Sequence, residues 1–200
     1  MLTAIDNGHL DLLKPLDPAL RARGALGGFD PTDDSIALPM DLLSAAGTDP
    51  QKANTLRLVL GHEIEHSINK ESIERSGEHL KSEIKRIANE PSPHDYTQLL
   101  KTTNDSQRLR ESNDQIAGFN VLAAHVRREN PTATQEQMYE KLYASSDQMQ
   151  QYFDVGADAN GLRTYAPKPG LTISAQGQIA TTDQNLAAIG KYFYDHNHYP

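Results

Sequence analysis

Two imidazoles and one carboxylate stand closest to chemistry in this 200-residue chain. They lie in Val59-Leu60-Gly61-His62-Glu63-Ile64-Glu65-His66-Ser67-Ile68. The histidines are four residues apart, and four residues of α-helix advance about 400°, so both rings leave one face a turn apart. Two neutral ring nitrogens so placed reach a single zinc ion at about 2.0–2.1 Å. Glu63 lies about 100° round the helix from His62. It is poorly aimed at the same ion and well aimed at a water beside it. The plain alternative is a solvated helix face that happens to carry all three. The flanks argue against it, because Val59, Leu60, Ile64 and Ile68 are apolar where the helix must face a core.

The stretch resembles the HExxH motif of zinc-dependent metallopeptidases. Glu65 departs from the family, where that position is usually uncharged, and is expected to point away from the metal. A hydrolytic zinc site takes three protein ligands and keeps one position for water, so a third ligand must come from elsewhere. The metzincin form needs glycine at position 69 and histidine at 72; the chain has Asn69 and Ser72, which excludes it. The gluzincin form takes a glutamate from a second helix. Glu90 has a thermolysin-like separation but abuts Pro91 at the end of a charged helix. Glu111 is better placed, with Gln115, Gly118 and Leu122 on its face and small residues that permit close helix approach. Arg110-Glu111-Ser112-Asn113-Asp114-Gln115-Ile116-Ala117-Gly118 resembles the glutamate-bearing helix of gluzincins of the CAAX-prenyl-protease type. In that family an aspartate four residues after the ligand braces a zinc histidine. Here Asp114 stands three after and Gln115 four after, and both are candidates. Glu90, His79, His94 and His125 remain open as alternative ligands.

The resemblance covers about residues 29–125 and implies a fold: α+β, mainly helical and zincin-like. A short edge-strand sheet would pack on the HExxH helix, beside a second ligand-bearing helix. In such proteins an edge strand just before the zinc helix pairs with an extended substrate, and Ser35 to Leu38 is the candidate. The glycines at 24, 27 and 28 would shape the cleft. The zinc helix starts at Thr48-Asp49-Pro50, a capping side chain with proline behind it. A charged helix covers Lys70 to Glu90, a second strong one Asp105 to Arg128, another Thr134 to Phe153, and a last one Asp183 to Tyr194. Residues 171–173 and 178–180 around Gly177 read as a small hairpin, within a loop-rich stretch that begins at Gly156. The protein is expected to be one domain, 1–200, with a core over about 29–130 and a C-terminal helical and hairpin subdomain over about 131–200.

Composition narrows the classes. Leu, Ile, Val and Phe together make 41 residues, the lean edge of globular composition, so a modest core is expected. With 19 basic against 27 acidic residues the net charge is −8, which disfavours a nucleic-acid or anionic-lipid partner. No cysteine is present, so thiolate-zinc sites, iron–sulfur clusters and thiol nucleophiles drop out. No apolar run nears the roughly 18 residues of a membrane span, and the first residues carry no secretory signal. Synthesis in the cytoplasm is expected, with export by a signal-independent route if the protein is an effector.

These readings converge on a zinc metallopeptidase that hydrolyses peptide or protein substrates. His62, His66 and Glu111 would hold Zn²⁺, and Glu63 would act as general base on a metal-activated water. The build is similar to bacterial toxin or effector metallopeptidase domains, whose partners would be secretion machinery or an inhibitory immunity protein. A cell-wall peptide amidase or endopeptidase and a non-catalytic zinc-containing binding module are the alternatives; the acidic balance favours a protein over an anionic wall polymer. The oxyanion donor stays unassigned among His196, His198, the tyrosines at 192, 194 and 199, and Tyr165. Asp33-Asp34 reads as a solvated turn, with no EF-hand spacing after it.

Overall fold

The computed structural model describes residues 5–195. It is a mainly helical α+β structure. In sequence order its elements are β1 (Leu12–Pro15), α1 (Pro18–Ala22), β2 (Gly28–Asp30), β3 (Ser35–Leu38), α2 (Met40–Ala46), α3 (Pro50–Ile68), α4 (Lys70–Ala88) and α5 (Thr97–Glu129). Then come α6 (Gln135–Ser145), α7 (Asp147–Gln150), the hairpin strands β4 (Phe153–Ala157) and β5 (Arg163–Pro167), α8 (Asp183–Gly190) and a π-helical turn at Lys191–Asp195. Among the described residues no helix is long and apolar enough to cross a membrane.

The three-stranded sheet has the order β1-β3-β2, with β1 parallel and β2 antiparallel to β3. Ser35 to Leu38 is a strand, as expected, but it is the central one and is buried along its whole length. Its hydrogen-bonding groups face β1 on one side and β2 on the other, so it cannot accept a substrate strand. The edge nearest α3 is β2. Ile36 and Leu38 of this sheet, with Leu10 just ahead of β1, meet Val59 on α3, with Leu26, Phe29, Leu56, Leu60 and Ile64 packed round them.

α3 begins where capping chemistry requires. The Asp49 carboxylate accepts from the Gln51 and Lys52 amides at 2.9 and 3.3 Å, and Pro50 fills the first turn. The opposite face of α3 packs against α5, the most extensive helix pair in the protein. Two glycines make this crossing possible. A Cβ on Gly118 would lie 2.6 Å from the Leu58 carbonyl oxygen and 3.3 Å from the His62 backbone nitrogen. One on Gly61 would lie 2.9 Å from Gly118 Cα. The two backbones therefore touch beside His62 itself, one turn before His66. Below the crossing, Ile116, Phe119, Leu122, Ala123 and Val126 of α5 form the larger core with Met138, Leu142, Met149, Tyr152, Leu171, Ile173, Ile179 and Ile189. Residues on both sides of position 130 thus build one cluster.

Several boundaries depart from expectation. α5 starts at Thr97 rather than Asp105, because its first turns are polar and exposed and carry no apolar period. The helix expected over 134–153 breaks at Ser146, whose extended backbone (φ −164°, ψ 159°) lets its hydroxyl cap α7. No hairpin forms over 171–180. The Asn185 and Asn120 side chains take the place of a ladder: Thr172 N–H donates to Asn185 Oδ1 at 2.8 Å, and Asn120 bonds both Ile179 N–H and Ile179 C=O at 2.8 Å. The hairpin lies instead at β4 and β5, in the stretch expected to be loop-rich.

Candidate metal centre

α3 supplies His62, Glu63 and His66; α5 supplies Glu111 and Asp114. The glycine-mediated crossing brings the two rows of side chains face to face. His62 Nε2 and His66 Nε2 lie 3.0 Å apart, and Glu111 Oε2 is 3.7 and 3.5 Å from them. A tetrahedral ion with bonds of about 2.0–2.1 Å needs ligand atoms about 3.3–3.4 Å apart. The donor triangle brackets that spacing, and its two imidazoles and one carboxylate are a donor set zinc accepts, so the residues fit the ion.

Asp114 is fully buried, and its Oδ2 has no regular hydrogen bond but lies 3.1 Å from His66 Nδ1. An ionised Asp114 fixes the proton on Nδ1 and leaves the Nε2 lone pair aimed at the triangle. Gln115 does not share this task. Its side-chain oxygen accepts from the Tyr152 hydroxyl at 3.2 Å, and the residue lines the cleft. Glu65 points away from the triangle, where its Oε1 accepts from Asn113 Nδ2 at 3.0 Å and Asn69 Nδ2 at 3.3 Å. The Asn69 amide also reaches Asp114 Oδ1 at 3.4 Å. The departure from the family pattern is therefore a polar clasp between α3 and α5. Replacing Asp114 by Asn should weaken zinc binding about 10–100-fold, read by competition with a chromophoric chelator; unchanged affinity would remove its bracing role.

Glu63 is buried, with a carboxylate oxygen within 4.8 Å of the histidine nitrogens. A Cβ on Gly27 would sit 2.9 Å from its Oε1 and 2.6 Å from Val59 Cγ1, so only glycine lets the backbone ahead of β2 close over the carboxyl. Burial pushes the Glu63 pKa up to about 7, with the Glu111 and Asp114 charges adding to the rise; His66 and the Phe29 backbone amide oppose it. Burial likewise raises Asp114 to about 7. His62 falls to about 4 through burial and the adjacent His66. For His66 burial alone would lower the pKa, but Glu111, Asp114 and Glu63 outweigh it and the net shift is upward. Burial would raise Glu111, yet both histidines and Arg110 hold it below the usual value.

These shifts set a pH dependence for the metal-free protein. Glu63 and Asp114 keep protons when folded that the unfolded state releases above pH 4.5 and 3.8, so their stability contribution is lost as pH rises toward 7. His66 acts in the same direction above pH 6.5, while His62 opposes them below 6.5. Two carboxyls outweigh one histidine, so the melting temperature of the metal-free protein should fall between about pH 5 and 7.5, and less steeply in Glu63→Gln. A flat or rising profile would contradict the buried placement of these carboxyls.

Two clefts meet at the triangle and share Gly27, His62 and Glu63. The larger, about 740 Å³, is walled by Leu20, Leu26, Leu58, Val59, Tyr152 and Phe193. The smaller, about 310 Å³, runs past Phe29, Pro31, Ile73, Lys70 and Arg110. Of the other candidates, Glu90 pairs with Arg86, His79 and His94 are exposed, and His125 lies 3.2 Å from Glu129. Asp33 and Asp34 bind Lys14 and Lys70. Tyr165 packs on Tyr143, and the Tyr192 hydroxyl donates to the Pro169 carbonyl. Tyr194 lines the larger cleft; His196, His198 and Tyr199 lie outside the described residues. The sequence marked neither Gly27 as the contact with Glu63 nor the Glu65–Asn113–Asn69 clasp, which depends on which helices meet. No protein-family model matches this sequence, and no curated protein or solved structure matches it.

Proposed function

We propose that this protein is a zinc metallopeptidase, cleaving peptide bonds in the joined clefts above α3. One observation supports the reading more than any other. Three donor atoms of a zinc-compatible set converge within 3.0–3.7 Å, and a buried, unligated carboxyl stands beside them at the floor of an open cleft. A purely structural site would fill its fourth position from the protein and would have no use for Glu63.

When bound, zinc supplies Lewis acidity, polarising the scissile carbonyl and acidifying a water. Glu63 takes the proton from that water as it attacks and returns it to the amine as the C–N bond breaks. A pKa near neutrality suits a group that must do both. Asp114 keeps His66 oriented, and Gly27 keeps the space in which Glu63 moves. The edge strand β2, which borders both clefts through the Gly27–Phe29 segment, offers main-chain groups to an extended substrate.

The test is direct. Purified protein should hold about one zinc per molecule, cleave members of a proteome-derived peptide mixture, lose that activity to a chelator and regain it with zinc. Zinc-loaded protein that cleaves no peptide in the mixture would sink the proposal.

A further inference from the structure

The geometry points to Arg110 as a specificity residue that binds a carboxylate of the substrate in the smaller cleft. This inference deepens the metallopeptidase reading and rests on it. The carboxylate is that of an Asp or Glu residue or the terminal carboxylate of a peptide.

Arg110 immediately precedes the third donor, Glu111, on α5 and lines the smaller cleft beside it. Its Nε is buried and has no hydrogen-bond partner, and among the described residues no carboxylate oxygen lies within 4.0 Å of its guanidinium. Arg110 is half-buried, but its Nε–H is shut off from solvent without an acceptor, which is costly, and a ligand that supplies the acceptor recovers that cost. The protein has 27 acidic side chains, yet among the described residues none forms an ion pair with this one; Glu111, next in sequence, feels its charge without an oxygen within 4.0 Å. The other cation of the cleft is already matched: Lys70 Nζ lies 2.7 Å from Asp34 Oδ1. Arg23, at the larger cleft, is exposed, so bulk water can satisfy its donors. A guanidinium offers parallel donors in the geometry a carboxylate accepts, which a point charge does not. A strand paired along β2 would turn alternate side chains into the cleft, where one acidic residue meets Arg110.

The probes are glutaric acid monohydroxamate and its primary amide, equal in length and different in terminal charge, titrated calorimetrically into zinc-loaded protein. The wild type should bind the acid about tenfold or more tighter than the amide. R110Q, with zinc content and melting temperature matching the wild type, should reduce the ratio to within about twofold. Zinc-dependent binding of both probes with equal affinity would overturn the Arg110 inference and leave the peptidase reading standing; this readout needs no variant. A preference that survives in R110Q would overturn it as well. No zinc-dependent binding of either probe would overturn both readings. Cleavage products then separate the two sources. Asp or Glu enriched at one fixed position assigns a side-chain carboxylate, and cleavage at a fixed distance from the C-terminus, lost on amidation, assigns the terminal one. Finding neither of these patterns would overturn the proposal.

Discussion

Glu63→Gln is expected to keep one zinc per molecule while peptide hydrolysis falls by about 10²–10⁴-fold. The substitution is nearly isosteric, which matters because the backbone at Gly27 leaves no slack around the carboxyl: a Cβ there would sit 2.9 Å from Oε1. Glutamine fills the same space, cannot shuttle the proton, and leaves the His62–His66–Glu111 triangle untouched. Initial-rate measurements on the best peptide of the mixture, with metal content measured on the same sample, check both halves. Loss of zinc would make Glu63 a ligand rather than a base. Retained turnover would take the proton transfer away from it.

Glu111→Ala should have the largest effect on the metal itself. It removes one corner of a three-ligand triangle, so zinc affinity should fall by more than the 10–100-fold expected for a bracing residue such as Asp114. Competition titration against a chelator orders the variants: wild type, then Asp114→Asn, then Glu111→Ala. Glu90→Ala is the control, because Glu90 pairs with Arg86 on exposed α4 and should leave affinity unchanged. If Glu90→Ala released the metal and Glu111→Ala did not, the helix carrying the third ligand would be wrongly assigned.

Much of α3 was legible because its signals are local. Asp49 and Pro50 mark the start of α3, and Val59, Leu60 and Ile64 mark its buried side. The pairing of that helix with the one carrying Glu111 was readable only through Gly118 and a resemblance, since which helices cross is decided by packing. What failed were features that long-range contacts decide. Residues 153–157 and 163–167 form a hairpin whose two faces are mostly exposed, so no apolar alternation announces it. Conversely, Leu171, Ile173 and Ile179 are buried as a strand's residues would be, but two asparagine side chains from other elements satisfy that backbone. The rank of β3 in its sheet was also invisible. Nothing in Ser35 to Leu38 says that β1 will pair on its far side. Asp114 illustrates a milder limit, because only the packing of the two helices decides that it, and not Gln115, lies against His66 Nδ1.

The Gly61–Gly118 contact also has a mechanical side. α5 spans 33 residues, and its backbone is pinned to α3 at Gly118. Glu111 is seven residues from that point, about 10 Å along the axis, and Thr97 is twenty-one residues away, about 32 Å. Were α5 to tilt about that contact, against the Asn113–Glu65 and Arg108–Asp195 ties, it would act as a lever with its fulcrum at the glycines. A rigid tilt that moves the Thr97 end by about 3 Å carries the Glu111 backbone by about 1 Å, comparable to the whole spread among the three donor distances. In such a tilt the candidate metal site would be geared to the far end of its own helix, and force applied there would arrive at the three donors reduced in travel and increased in strength.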